Sequence, residues 1–164
     1  MSDYHLRRTE KELKDPAELG AVLARQRYLT IAMCRSGEPY LVTLSYAYDE
    51  ARNCLYFHCA SEGKKIDFLK ENPSVWGQVI EDLGYRQNEC DHAFRTVHFR
   101  GRVEMLRTVD DKKGALTLMM SRLENRPDEV RRRLIADGKV EKVTVGRILI
   151  EAMTGKVNLP AKGG

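Results

Sequence analysis

Residues 56–69 read YFHCASEGKKIDFL, and this stretch carries the strongest structural signal in the chain. A β-rich apolar run breaks at a corner that contains serine and glycine, and then restarts as an amphipathic helix that opens with Lys64 and Lys65. The helix should end at Asn72, because the residue before a proline avoids the α region. The stretch therefore predicts a strand, a tight corner and a short helix.

The start of this helix has the chemistry of a phosphate site. Free backbone N–H groups and the positive end of the helix dipole favour an anion. The ammonium groups of Lys64 and Lys65 add positive charge beside them. Lysine pairs at helix starts are also common on ordinary solvated surfaces, so the pattern alone leaves both interpretations open.

Residues 56–76, YFHCASEGKKIDFLKENPSVW, resemble the corresponding segment of the nitroimidazole-resistance flavoproteins. These proteins are a branch of the FMN-binding split-barrel families related to pyridoxamine phosphate oxidase. Segments 6–12, 37–46 and 154–156 match in the same order, so the resemblance spans nearly the whole chain. It implies an α+β fold, an antiparallel split β-barrel with flanking helices, in a single FMN-binding domain over residues 1–164.

The composition agrees with a single domain. At 164 residues the chain should bury roughly 70% of its unfolded surface, enough for one sizeable core. Its 28 basic and 24 acidic side chains leave a small formal charge of +4. The arginine run at 131–133 follows Asp128 and Glu129 in a helical pattern, which is typical of a solvated helix face. We therefore expect no nucleic-acid partner.

We expect a cytoplasmic protein that does not enter a membrane. No apolar stretch approaches the ~18 residues that a spanning helix needs, and the first residues are charged rather than signal-like. The cysteines show no CxxC pairing, and because no secretion signal is seen, we expect reduced thiols at Cys34, Cys54, Cys59 and Cys90. Cys90 precedes an aspartate and a histidine, but structural zinc wants four convergent ligands, so no metal site is predicted.

Turn residues and periodicity predict the remaining elements. A capping box at Asp15 starts a first helix, and Thr108 caps a second helix that a third follows, ending at Gly138. Strands are expected at 29–34, 39–48, 53–60, 74–83, 94–106 and 142–152, with a polar tail after them. The strand order does not follow from these patterns.

Polar and apolar side chains alternate along residues 40–46, YLVTLSY. Thr43 and Ser45 share one face of this strand, and Val42 and Leu44 share the other. A flavin ring needs both kinds of surface, although an ordinary half-buried strand has the same pattern. In the related flavoproteins the matching strand lies against the isoalloxazine ring. The resemblance therefore makes these four residues candidates for FMN binding.

The resemblance implies a second group of FMN-binding residues at the strand end, at the helix start and on a later strand: His58, Cys59, Ala60, Lys64, Lys65 and Thr96. The two lysines would clamp the phosphate. The residues at the strand end would lie beside the ribityl chain or the ring. Thr96 stands where the oxidase relatives have a residue in contact with the flavin.

His58 is the candidate catalytic residue. Histidine can deliver a proton near neutral pH, and the hydride chemistry itself would belong to the cofactor. Members of the nitroimidazole-resistance branch carry a histidine at this place, near the substrate face of the flavin. A hydrogen-bonded structural histidine at a strand end is the alternative interpretation.

The resemblance implies a flavin-dependent oxidoreductase, specifically an FMN-containing reductase that acts on a small-molecule substrate. Oxidases of vitamin B6 phosphates end in an arginine- and histidine-rich motif, which residues 153–160 lack, so we do not expect that activity. A non-catalytic flavin- or haem-binding carrier or sensor is the alternative. A phosphate- or nucleic-acid-binding module is a distant third.

The resemblance also implies a homodimer with each FMN in a groove between the subunits. A small barrel with a split leaves apolar surface that a twofold partner can cover. Trp76 is the candidate for this groove. A partly buried core tryptophan is an equally good interpretation of the same residue.

Overall fold

The computed structural model describes residues 7–136 and 138–160, so Leu6 of the first matching segment lies outside the described residues. Within them the elements are β1 Glu12–Leu13, α1 Pro16–Arg25, β2 Tyr28–Arg35, β3 Glu38–Ser45, β4 Ala47–Asp49, β5 Cys54–Cys59, α2 Lys64–Glu71, β6 Ser74–Arg86, β7 Asp91–Met105, α3 Val109–Leu123, α4 Pro127–Ala136 and β8 Thr144–Asn158. None of these four helices has the length and apolar character that crossing a bilayer requires.

The strands form one antiparallel sheet in the order β3-β2-β6-β7-β8-β5-β4, and β1 pairs with β8. Strand β3 is first in this order, and it also contacts β5, which is the second-last strand in the order. The sheet therefore curls on itself into a barrel that stays open between β3 and β5. We call this opening the seam.

The apolar side chains form two cores on the two faces of β5. The larger core fills the barrel and contains Phe57, Phe99 and Ile148, all completely buried. The smaller core lies between the outer face of β5 and helix α3, where Tyr56 packs with Met119. Successive residues of β5 therefore point alternately into the barrel and out of it, as a strand requires.

Several predicted elements are confirmed. Asp15 accepts a hydrogen bond from the backbone N–H of Ala17 at the start of α1, and Thr108 accepts one from Asp111 at the start of α3. The hairpin between β2 and β3 turns on Ser36 and Gly37, whose φ angles of 48° and 82° suit a two-residue turn of type I′. The helix that opens with two lysines is α2.

The strand predicted at 39–48 is wrong in one respect, because it breaks at Tyr46 between β3 and β4. The Tyr46 side chain is buried, and its hydroxyl donates a hydrogen bond to the carbonyl oxygen of Leu23 at 2.6 Å. This carbonyl lies in the last turn of α1, where no helical N–H remains to bond it. Tyr46 therefore interrupts the strand, and its hydroxyl caps the end of helix α1.

The predicted end of the last strand is also wrong, because β8 runs on to Asn158 where a polar tail was expected. Its polar residues Thr154 and Lys156 pair with β7 on one side of the strand. Between them Gly155 packs so tightly that a Cβ atom there would lie 2.3 Å from Leu19. The same part of β8 pairs with β1, a strand that the sequence patterns did not predict.

We expect Tyr46→Phe to lower the free energy of unfolding by about 1–3 kcal/mol, because the buried Leu23 carbonyl loses its hydrogen bond while the ring stays in place. Urea denaturation followed by circular dichroism measures the difference. Tyr85→Phe is the matched control, since that ring is 54% exposed. Equal midpoints for Tyr46→Phe and the wild type would show that the cap contributes nothing.

Candidate functional site

The seam exposes backbone hydrogen-bonding groups from two strands. β3 pairs along Glu38–Ser45 with β2 on one edge, so alternate N–H and C=O groups of its other edge face the seam. The pairing of β5 with β4 ends at Tyr56, and β5 continues along the seam through His58 to Cys59. A planar heterocycle with hydrogen-bonding edges finds matching partners in such a seam.

The predicted alternation along β3 is confirmed. Val42 and Leu44 pack against the barrel core, whereas Thr43 is exposed and Ser45 is half-buried on the other face. The Thr43 hydroxyl lies 3.0 Å from that of Thr30 on the neighbouring strand. Thr43 and Ser45 therefore offer side chains on the outside of the barrel and backbone groups on the open edge, whereas the backbone groups of Val42 and Leu44 bond β2.

Strand β5 places two predicted site residues on opposite faces. His58 is exposed on the outside, whereas Cys59 is half-buried and packs against the barrel core. Burial raises the pKa of the Cys59 thiol, and the charge of the nearby Lys65 opposes this. Ala60 is exposed just after the strand ends. The side chains of His58 and Cys59 therefore cannot contact one ligand on the same side of the strand.

The corner before α2 has open space and unpaired helix donors. Gly63 precedes the helix with a φ of 117°, a conformation that favours glycine, and no side chain caps the helix start. A Cβ atom on Gly63 would meet nothing within 4 Å. The first backbone N–H groups of a helix have no partner inside it, so those of Lys64 and Lys65 are suited to an anion. The corner fits a phosphate group.

The Lys64 side chain is fixed by three neighbours. Its Nζ atom lies 2.8 Å from Oε1 of Glu38, at the start of β3. The same atom lies 4.9 Å from the ring centre of Tyr40 and 5.4 Å from that of Phe68. The hydrogen bond from Lys64 holds the pKa of Glu38 below its ordinary value. Lys64 thus joins the corner to the open end of β3.

The outward side chains of β2, β3, β6 and β7 form one surface, which we call the outer wall: Tyr28, Thr30, Ala32, Leu41, Thr43, Trp76, Gln78, Ile80, Thr96 and His98. The strand register aligns a polar row across it, from Thr43 through Thr30 and Gln78 to His98. Gln78 Nε2 and His98 Nε2 lie 3.0 Å apart.

The outer wall is unusually apolar for an exposed surface. Trp76 is 57% exposed and Leu41 is 64% exposed, on either side of a depression of about 240 Å³. The interpretation of Trp76 as a core residue is therefore wrong. Burial lowers the pKa of His98 at the edge of this depression, and the charge of Lys156 adds to the effect.

Thr96 lies on the outer wall but not in the seam of the same chain. It is on β7, three strands from β3 along the sheet, or about 14 Å, and its strand partner Lys156 lies beyond the part of β8 that pairs with β5. Its side chain is buried, and among the described residues its hydroxyl is one of two buried side-chain polar groups without a hydrogen-bond partner. Such a group is costly unless a further molecule satisfies it.

A larger cavity, of about 370 Å³, lies between the sheet and α3 and is lined in part by Tyr48, Tyr56 and Arg147. None of the predicted site residues lines it. Burial raises the pKa of Tyr56 to about 12, so its hydroxyl stays protonated. Arg147 is already paired with Glu104 at 2.8 Å.

Sequence reasoning missed this cavity and also the contact of Glu38 with Lys64, because both depend on long-range packing.

Comparison with known proteins identifies the family. Residues 15–157 match the family model of pyridoxamine 5'-phosphate oxidase. An uncharacterized protein of Rhizobium meliloti (strain 1021) is 35% identical over 71 residues, which are 43% of this chain and 44% of that protein. The match thus spans less than half of that relative's length.

Solved structures share the fold, among them two bacterial proteins. A protein from Bacteroides thetaiotaomicron, named for resistance to 5-nitroimidazole antibiotics, is 22% identical with a TM-score of 0.71 and 96% coverage of both chains. A FAD-binding protein from Mesorhizobium loti is 26% identical with a TM-score of 0.62, over 88% of this chain and 95% of that one. The predicted α+β split barrel is confirmed, and the chain belongs to the pyridoxamine 5'-phosphate oxidase family.

Proposed function

We propose that this chain is an FMN-dependent reductase, similar to the nitroimidazole-resistance proteins, whose flavin lies along the seam. The observation that carries the proposal is the uncapped start of α2, with Lys64 and Lys65, at the end of the open edge of β3. The anion site adjoins the exposed strand edge. Together they match a molecule with a phosphate at one end and a hydrogen-bonding ring at the other.

The residues fit FMN in distinct roles. Lys64, Lys65 and the backbone N–H groups beside them would hold the phosphate. Thr43 and Ser45 would bond the ring edge through their hydroxyls and through their backbone groups on the open edge of β3, while Val42 and Leu44 would pack beneath them against the barrel core. Bound flavin would supply the hydride transfer between a donor and a substrate.

His58 is exposed on the outside of β5, beside the seam. Because its neighbours Phe57 and Cys59 point into the barrel, its imidazole is free of the core and accessible to a small molecule. We assign it the delivery of a proton to the substrate from an imidazole nitrogen. Cys59 faces the core, so we assign its side chain a packing role and only its backbone to the flavin.

The names of the relatives support a flavin, since one of the two solved structures above is named as FAD-binding. The family model is named for an oxidase of pyridoxamine phosphate. We propose a small-molecule substrate of the reducible kind that nitroimidazoles represent.

We also propose a homodimer in which the outer wall of one chain covers the flavin of the other. Leu41, Trp76 and Ile80 are each at least half exposed there, a concentration of apolar surface that a twofold partner would bury. The unpartnered Thr96 hydroxyl lies on the same wall. It lies too far from the seam of its own chain but could contact the flavin of the partner.

Trp76→Glu should convert the dimer to monomers and release FMN with the same dependence on concentration, because the cofactor and the partner stabilise each other by mass action. Sedimentation velocity read at a flavin wavelength measures both. Leu159→Glu is the matched control, since Leu159 is 43% exposed but lies beyond the end of β8. A monomeric boundary that carries a full complement of FMN would contradict the shared site.

The visible spectrum and turnover of the purified protein test the function itself. We expect flavin bands that bleach with a reduced nicotinamide donor and recover when a nitroimidazole acceptor is added. Flavin or haem bands without donor consumption would favour the carrier or sensor. A colourless protein that gains no bands on incubation with FMN would refute the flavin assignment.

A further inference from the structure

Helix α2 is fastened to the β2–β3 hairpin at both of its ends. At the start, Lys64 Nζ donates to Glu38 Oε1 at 2.8 Å. At the end, Glu71 accepts from Arg35 Nε at 2.7 Å and from the Ser36 hydroxyl at 3.1 Å. The two carboxylates make similar surface ion pairs, but only the first lies at the proposed phosphate corner.

Glu38 places a negative charge where the flavin phosphate would arrive. Its side chain is 61% exposed, and its partner Lys64 is half of the proposed phosphate clamp. An ammonium group has three N–H donors, of which the carboxylate takes one. A phosphate at the start of α2 would share Lys64 with this carboxylate, and the two anions would repel each other.

Other contacts hold Lys64 and helix α2 in place without Glu38. Tyr40 and Phe68 hold the Lys64 ammonium by cation–π contacts at 4.9 and 5.4 Å. The pair of Arg35 with Glu71 keeps the helix on the hairpin from its other end. Removing the Glu38 charge should therefore leave Lys64 in place with its own charge uncompensated.

We infer that Glu38 is a specificity-determining residue that competes with the flavin phosphate for Lys64 and thereby weakens the preference of the site for phosphorylated flavins. The inference rests on the proposed function, because it assumes that the phosphate binds at the start of α2. As a consequence, bound FMN should dissociate more readily than it would from a site that contained the two lysines without Glu38.

The experiment compares dissociation constants for FMN and riboflavin, which differ only in the phosphate, by quenching of flavin fluorescence. Glu38→Gln should bind FMN about 2–5-fold more tightly than the wild type, within the range of one exposed ion pair, with riboflavin unchanged. Glu71→Gln is the matched control and should change neither constant. Thermal unfolding verifies that both variants are folded.

Each other outcome contradicts a definite part of the account. Unchanged or weaker FMN binding by Glu38→Gln would overturn the inference, and so would equal tightening by Glu71→Gln, which would point to a loosened hairpin. A variant with alanine at Lys64 and Lys65 distinguishes failure of the inference about Glu38 from failure of the proposed phosphate site. If it weakens FMN binding while Glu38→Gln tightens nothing, only the inference fails. If it also leaves FMN binding unchanged, the proposed phosphate site fails as well.

Discussion

Replacing both Lys64 and Lys65 by alanine should weaken FMN binding by at least about ten-fold and leave riboflavin binding unchanged. A hydrogen bond to a charged group contributes about 1.5–3 kcal/mol, and about 1.4 kcal/mol corresponds to a factor of ten. Lys64 already donates to Glu38. Its net contribution to phosphate binding should therefore be smaller than that of an unpaired lysine, and the minimum effect of the double replacement is less than the sum of two full hydrogen bonds.

Fluorescence titration of the apoprotein with each flavin measures this effect. The chain offers a matched control in Lys112 and Lys113, an adjacent pair on the separate helix α3. Their double replacement by alanine removes the same charge and should leave both dissociation constants unchanged. Unchanged FMN affinity in a folded variant lacking Lys64 and Lys65 would place the phosphate elsewhere.

His58→Ala should lower reductive turnover by about 10²–10⁴, the usual contribution of a general acid, and should retain the fold and most of the flavin. The side chain is exposed and does not belong to either core, so its loss leaves no cavity. The proposed phosphate site at α2 is untouched. The variant should therefore separate catalysis from cofactor binding.

Steady-state rates across pH, together with flavin content from the visible spectrum, measure both properties in one preparation. His92→Ala is the control, because its ring is committed to Asp82 at 2.6 Å in the β6–β7 hairpin, away from the seam. Equal rates for His58→Ala and the wild type at every pH would show that His58 takes no part in turnover.

The parts of the fold that local chemistry decides could be predicted from the sequence. The caps at Asp15 and Thr108 and the turn at Ser36 and Gly37 act within a few residues of the chain. The strand order could not be predicted, since the register that sets Thr30 against a residue of β6 joins segments far apart in sequence. The end of β8 was missed because outward polar side chains in a strand read as a polar tail.

The candidate site divides in the same way. The corner with Lys64 was visible as a local pattern, whereas its partner Glu38 lies 26 positions earlier and has no local signal. Thr96 was named through the resemblance alone, and the structure places it on the same outer wall as Thr43 but three strands away from β3. The opposite orientations of His58 and Cys59 follow from strand alternation, so this separation could have been predicted.

A crystal structure of the protein grown with FMN tests the central claim most directly. We predict one flavin per seam, with its phosphate against Lys64 and Lys65 at the start of α2, its ring along β3, and the outer wall of a second chain over it. A flavin in the cavity lined by Tyr48 and Tyr56, or on any surface away from α2, would contradict the account.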